Sequence, residues 1–387
     1  VRGFRDRKAG VEFCILAIAT FLCFTTVSQT ALLALVMKRH DMPLSEIGIV
    51  LSVYGGAVVV FMLAAAPIAT RLGNLATLRL GILLLVAGHL SYQLTIADFP
   101  EAVASRLVQG VGYGLFMPTA MTFAKSKLTP ERFVYLFGIY ASMVPLPNAI
   151  GPPLAEAYLN IFGERLFFVV GAVPAMVAGA LTLGLGADRR PAGARGLPLL
   201  STALLPSLRR PLIAVMAVGA MYGLIPSYMA ALLAERSVPI GFFFTSFTVV
   251  LFAARFLLLG YFEAWPRSRV VALGLAAMAA AYALVAEALD PVPVGIAGVL
   301  CGLGYSMAYP VLSVWVAEQF EPHLRTTPVA VFNTMFSIGI LVTPWFGTYV
   351  IAGLGYPGLL YVLAATGALV ALSLAFVGRA RPLVPET

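Results

Sequence analysis

The sequence predicts an all-α membrane protein of twelve transmembrane helices in two pseudo-symmetric six-helix halves, and three observations carry that reading. Hydrophobic residues fill 60% of the 387 positions and charged residues only 11%, against about 25% charged in a soluble domain, with a mean hydropathy of +0.95. The apolar residues gather into twelve runs, each close to the roughly 20 residues that cross a bilayer. One motif is also written twice. VQGVGYGLFMP at 108–118 and LCGLGYSMAYP at 300–310 pair Gly110 with Gly302, Gly112 with Gly304, Tyr113 with Tyr305 and Pro118 with Pro310, every pair 192 positions apart.

The first run, 11–37, follows the basic RGFRDRK and so imitates a signal peptide. It is too long for the apolar part of one and shows no A-x-A-like cleavage site, so it is expected to be the first span. The next five spans are expected at 46–69, 76–97, 102–124, 133–158 and 164–186. A stretch rich in Pro, Gly and Arg, 187–209, then links an N-terminal half (1–186) to a C-terminal half (210–387). The second half holds spans at 210–234, 239–262, 270–289, 293–316, 327–351 and 356–377. The 192-residue shift lays span four on span ten and Pro152 on Pro344, and a shift of 193 brings Gly81 onto Gly274. Six-helix halves related by an axis along the membrane normal are a recurrent transporter plan, with the substrate site near the midplane.

An even number of spans puts both termini on one side. The gaps on that side hold 19 of the 25 Lys and Arg residues, while the other side holds only Lys38, Arg39, Arg165 and Arg236. The excess of basic charge makes the termini and the 187–209 linker cytoplasmic, in a bacterial inner membrane. The net charge of +8 lies in short gaps between apolar runs and not in a patch on a soluble fold, which excludes nucleic acid as partner. Cys14, Cys23 and Cys301 lack metal-ligand spacing and are expected to pack as small apolar residues. The chain has no H-E-x-x-H, no paired aspartates and no Ser/His/Asp set, so no enzyme, cofactor or metal chemistry is expected. The expected partners are a small-molecule substrate and the lipid bilayer, around a monomer.

With these spans, the basic central loop and the following motifs, the chain resembles the Major Facilitator Superfamily over essentially its whole length, and within it the bacterial drug and sugar efflux permeases. RLVQGVGYG at 106–114 fits the span-four pattern R-x-x-Q-G-x-G through Arg106, Gln109, Gly110 and Gly112. NAIGPPLAEAY at 148–158 is similar to the G-P-x-x-G pattern of efflux members through Gly151 and Pro152, with Ala155 where a glycine is usual. That match favours export, with import or facilitated diffusion of a sugar or organic acid as the alternative. APIATRLGN at 66–74 keeps Arg71 and Gly73 of the loop that latches the halves, but places Thr70 at the acid; LGYFEAWPRSR at 259–269 supplies Glu263 and Arg267 in the second half. The resemblance implies gating roles for Arg71, Gly73, Gly151, Pro152, Glu263 and Arg267, with the heavier burden on Glu263.

The resemblance also implies a cavity lined by spans one, four, seven and ten. That brings in Gln29, Gln109, Tyr113, Tyr222, Tyr228, Tyr305 and Tyr309, with Asn148 and Asn333 from flanking spans, as candidate substrate contacts. Tyrosines pair an apolar face with one hydroxyl, which suits rings and amphiphiles. Arg106 and Arg255 lie inside spans, where a charge is a functional hypothesis by default. Arg106 is a candidate both for substrate and for proton coupling together with Glu156, and the two are expected either to form a structural ion pair or to couple transport. Arg255 either faces the cavity or snorkels towards the cytoplasm. With a net positive interior the substrate is expected to be anionic or amphiphilic. His89 and the Met117/Met121 pair are expected to be structural.

Overall fold

The computed structural model describes residues 4, 6–129, 136, 139–140, 143–144, 146–186, 199–257, 265–321 and 326–376, without the side chains of 165, 199–200, 255–257 and 326. Glu263 and the Arg255 side chain therefore lie outside the described residues, as do most of positions 133–146 of the fifth span. The described chain is helical, apart from turns and the isolated bridge between Phe4 and Leu128.

Helix α1 spans Arg7–Arg39. It begins where Asp6, in extended backbone, accepts the Ala9 N–H at 2.7 Å, satisfying one of the donors a helix start leaves open. Then follow α2 (Leu44–Leu72), α3 (Asn74–Thr95) and α4 (Phe99–Ser126). The stretch Pro147–Thr182 is broken at Gly163 into α5 (147–162) and α6 (164–182). The second half contains α7 (Arg209–Glu235), α8 (Gly241–Leu257), α9 (Arg267–Glu287) and α10 (Pro291–Glu318). Thr326–Ala375 is broken at Gly355 into α11 (326–354) and α12 (356–375). The helices overrun the apolar stretches by a few residues because their first and last turns cap outside the apolar core.

The 192-residue repeat is legible in the backbone. Gly163 has φ 65° and Gly355 φ 70°, a conformation open to glycine at no steric cost, and they reverse the chain at equivalent places in the two halves. The doubled G-x-G has the same explanation. A Cβ at Gly110 would stand 2.7 Å from the Tyr54 carbonyl oxygen on α2, and one at Gly302 would run into Phe247 on α8; Gly112 and Gly304 likewise press on α3 and α9. Gly81 on α3 and Gly274 on α9 return the contact: a Cβ at either would stand 2.6 Å from backbone on α4 or α10. Each central helix thus fits between two neighbours at backbone distance, the packing that small residues permit inside a bilayer.

The halves meet unevenly. At the end of the bundle away from the start of α1, here the distal end, α2 presses on α11 at Gly48 against Thr348 and at Gly55 against Leu341. There α5 meets α8, where Thr245 Oγ1 donates to the Ala149 carbonyl at 3.5 Å. α1 breaks into a 3₁₀ turn at Thr30–Leu32 and α7 into a π turn at Ile225–Met229, and the two irregular turns touch. One buried core runs across this seam from Leu32, Leu33 and Met37 into Ile225, Met229 and Val238. The terminal end of the first half has a separate core around Leu16, Leu78, Phe116 and Phe123. Three side-chain hydrogen bonds join the halves: Lys38 to Glu235 at the distal end, Thr245 to the Ala149 carbonyl, and Asn148 to Tyr222.

Candidate functional site

At mid-membrane two aromatic walls, with Tyr113, Tyr222 and Tyr309 partly exposed, flank the seam and outline a chamber. On the first half, Tyr113 of α4 meets Phe24 of α1 edge-on at 5.3 Å and Tyr54 of α2 at 5.9 Å. On the second half, Tyr305 and Tyr309, four apart on α10, stack at 5.4 Å with planes 10° apart. Tyr222 of α7 lies 4.9 Å from Tyr305, and Phe336 of α11 4.7 Å from Tyr309. Two hydrogen bonds orient the polar edges. Asn148 Nδ2 donates to the Tyr222 hydroxyl at 2.9 Å across the seam, and the Tyr309 hydroxyl donates to Asn333 Oδ1 at 3.1 Å. The Asn148–Tyr222 bond ties the second wall to the first half across the seam. The chamber can hold a flat or apolar body between rings and present hydroxyl and amide groups at its edge.

Behind Tyr54 lies a buried charge. Arg106 is 5% exposed; its Nη1 donates to Gln109 Oε1 at 2.5 Å and its guanidinium carbon sits 4.2 Å over the Tyr54 ring. Gln109 Nε2 in turn meets His89 Nδ1 at 3.3 Å. The Tyr92 hydroxyl lies beside Arg106 without reaching hydrogen-bond geometry. The ion pairs among the described residues are all at the ends of the bundle: Lys38–Glu235, Arg39–Glu164, His40–Glu164, Lys127–Glu12 and Arg267–Glu318. Arg106 is thus held by an amide and a ring, with no carboxylate.

Several expectations are corrected by this geometry. Arg106 and Glu156 do not pair. Arg106 points inward among α2, α3 and α4, whereas Glu156 on α5 lines a crevice of about 240 Å³ at the distal seam with Leu32, Arg39 and Ile240. Gln29 is fully buried away from the chamber; a Cβ at Gly171 of α6 would stand 2.5 Å from its Oε1 and 2.8 Å from His89 Nε2. Tyr228 is scaffold, its hydroxyl donating to the Pro344 carbonyl at 2.7 Å and sharing a bond with Thr348 Oγ1 at 2.8 Å. Six residues beyond Tyr222, at about 100° per residue, it falls on a different helix face. Cys23 and Cys301 are buried as expected, but Cys14 is exposed.

Tyr113, Tyr222, Tyr305, Tyr309, Asn148 and Asn333 do come together at the seam. Sequence reasoning missed Tyr54, Phe24 and Phe336, and it set His89 apart from the charged cluster. Phe336 was within reach, because it lies three residues after Asn333 and so on the same helical face.

Of the gating candidates, Arg71 is exposed at the terminal end of α2 and Gly73, at φ 91°, makes the α2–α3 turn. The Thr70 hydroxyl turns back on its own helix to the Pro67 carbonyl at 2.7 Å. Gly151, beside Pro152, lets α5 approach Ser28 of α1. Arg267 is tied within its own half to Glu318 at 3.1 Å.

Two helical halves of bilayer length, closed on each other at one end around a mid-membrane chamber, define a multi-pass membrane transporter. The chain belongs to the Major Facilitator Superfamily, a family of membrane transporters, whose family model matches residues 13–238 and 212–387. It is 25% identical over 167 residues, 42% of its length, to the methylenomycin A resistance protein of Bacillus subtilis. It is 24% identical over 184 residues, 46% of its length, to the methylenomycin A resistance protein of Streptomyces coelicolor. These stretches span 35% and 38% of the relatives' own lengths. Among solved structures, a mutant form of the nucleoside transporter NupG superposes with a TM-score of 0.79 at 15% identity, covering 94% of this chain and 99% of that one. A POT family transporter in complex with 5-aminolevulinic acid gives 0.80 at 14% identity, covering 96% of each. At these identities the likeness establishes the fold alone.

Proposed function

We propose that the chain is a monomeric exporter in a bacterial inner membrane, moving a small anionic or amphiphilic solute by alternating access coupled to protons. Both termini and the 187–209 linker lie in the cytoplasm, and the N- and C-terminal halves rock about the chamber with no cofactor and no nucleic acid. The observation that carries the reading is the aromatic chamber between Tyr113 and the Tyr222–Tyr305–Tyr309 wall, sealed distally by a continuous apolar core. The basic gaps support a cytoplasmic terminal end, so this is the state that loads solute from the cytoplasm. Export is supported by Gly151-Pro152 in α5 and by the resistance proteins among the relatives. An acceptor-rich solute is supported by Arg106, which has no carboxylate among its described contacts.

The test has two stages. Purified protein is screened by thermal shift against carboxylates, sugars, aromatic amphiphiles and methylenomycin A, since a ligand of the folded state raises apparent stability by mass action. The best stabiliser is then offered to everted membrane vesicles and to intact cells. Energised accumulation in everted vesicles is expected; accumulation only in intact cells would establish an importer instead.

A further inference from the structure

Arg106, Gln109, His89 and Gln29 form a line of buried polar groups running away from the chamber, and the chemistry of each fixes the next. A guanidinium only donates. The Gln109 atom at 2.5 Å from Arg106 Nη1 must therefore be its carbonyl oxygen, which turns the NH₂ towards His89 Nδ1 at 3.3 Å. That NH₂ also only donates, so Nδ1 must accept, and the single imidazole proton sits on Nε2. Nε2 has no hydrogen-bond partner and is buried beside Gln29, whose two amide atoms are likewise buried and unpartnered. Glycine at 171 leaves the room in which these two polar ends face each other.

The arrangement admits one alternative. If Arg106 leaves Gln109, the amide can turn over and present its oxygen to Nδ1. His89 can then take a proton from water at Nδ1, donating from Nδ1 to Gln109 and from Nε2 towards Gln29. The proton returns to water when Arg106 comes back, so one proton is bound and released per cycle and nothing else is consumed. The charged group in this line is Arg106, one amide away from His89; the Phe168 ring of α6 lies 5.7 Å from the imidazole, and Tyr92 follows three residues on along the same helix. Arg106 already lies against Tyr54, which itself touches Tyr113 in the chamber wall at 5.9 Å.

We infer that His89 is a proton-binding site whose occupancy is switched by Arg106 through the orientation of the Gln109 amide. Its use in coupling rests on the transport reading above, but the site itself does not. The switch also fixes the sign of coupling. A proton on His89 and a guanidinium released towards the chamber belong to the same state, so an anionic head group binds together with the proton, whereas an uncharged amphiphile is displaced by it. Linkage makes each effect reciprocal. Export driven by proton exchange then belongs to the uncharged amphiphile.

The test is nitrogen-15 NMR of histidine-labelled protein in lipid nanodiscs, which needs neither substrate nor transport and so fails separately from the export reading. The chain has three histidines, and loss of a signal in His89→Gln assigns the one that matters. Wild type is expected to show the neutral Nε2–H form at His89 from about pH 5 to pH 8, the range in which an unperturbed imidazole changes charge. In Arg106→Gln, His89 is expected to gain its second proton within that range. In Gln109→Met, which keeps the charge but removes the donor, both neutral tautomers are expected; this variant decides the matter if Arg106→Gln fails to fold. The Nδ1–H form in wild type, or an unchanged tautomer in Gln109→Met, would overturn the switch.

Discussion

Asn148 on α5 donates to the hydroxyl of Tyr222 on α7 at 2.9 Å, a side-chain hydrogen bond that joins the two halves. It closes the distal edge of the chamber in the observed state and must break when the halves rock the other way. Tyr222→Phe keeps the ring 4.9 Å from Tyr305 and removes only the acceptor. A net hydrogen bond of about 1 kcal/mol corresponds to roughly a five-fold shift in population. Tyr222→Phe should therefore move the equilibrium towards the distally open state by that factor. The measurement is the distance between spin labels on the distal ends of α1 and α7; an unchanged distribution would mean that the bond does not bear on the switch.

The distal seal should be mainly apolar and only slightly electrostatic. The Lys38–Glu235 pair that bridges it is 45% and 40% exposed, and such pairs are worth about 0–1 kcal/mol. Leu32 and Leu33 are fully buried there, and keeping one such side chain out of water is worth roughly 1.5–3 kcal/mol. Gly48 has no room at all, since a Cβ would collide with Thr348 and with the Pro344 carbonyl. Gly48→Leu is expected to wedge α2 off α11, hold the distal end open and abolish transport in a protein that still folds. Lys38→Ala should change the same label distance little, and less still at high salt. A larger effect from Lys38→Ala than from Gly48→Leu would show that charge makes the seal.

Topology is open to a direct check. In a background without Cys14, Cys23 and Cys301, a cysteine at exposed Leu204 should react with an impermeant maleimide only in everted vesicles, and one at Asp98 only in intact cells. Reaction of position 204 in intact cells would invert the orientation.

What the sequence made legible follows from what repeats. Twelve apolar runs and the doubled G-x-G announced the halves, because close helix packing leaves glycine no substitute at Gly110, Gly112, Gly302 and Gly304. The chamber tyrosines were legible where they lie on the central helices of each half. Face assignment was the limit. Gln29 and Tyr228 lie on α1 and α7 yet turn into the scaffold, because both helices depart from regular α geometry near these residues and composition does not reveal the phase. The Arg106–Glu156 pair was inferred from similar depth alone, and depth says nothing about which side of a helix a residue takes. His89 was set aside because its helix is peripheral, although Gln109 reaches it from α4.

At the terminal end, Glu12 holds Lys127 at 2.8 Å and accepts the Gly186 N–H at 3.1 Å, tying α1 to α4 and to the end of α6. The pair is mostly buried, with side chains 7% and 13% exposed. Glu12→Gln would leave the Lys127 ammonium without its carboxylate. Hydrogen bonds to charged groups contribute about 1.5–3 kcal/mol, so a lower melting temperature in detergent is expected, recovered in part by Glu12→Gln with Lys127→Met. Coupling should be untouched, since Glu12 does not contact the Arg106 cluster.

Two residues compete for the role of proton carrier, and transport separates them. Glu156 lines the distal crevice with Arg39 and Ile240 and forms no ion pair with Arg106 among the described residues. His89 is joined to Arg106 through one amide. For the solute that best stabilises the protein, transport by Glu156→Gln should keep its dependence on the imposed pH gradient, with at most a changed rate of distal opening. His89→Gln retains a neutral polar side chain of similar reach but cannot take a proton. It should still exchange solute down a concentration gradient while losing the acceleration that a pH gradient gives. Proteoliposomes containing a pH-sensitive dye report both quantities in one experiment, because solute flux and proton flux are read together. Proton movement that persists in His89→Gln and disappears in Glu156→Gln would assign the carrier to the crevice and reduce the Arg106–Gln109–His89 line to packing.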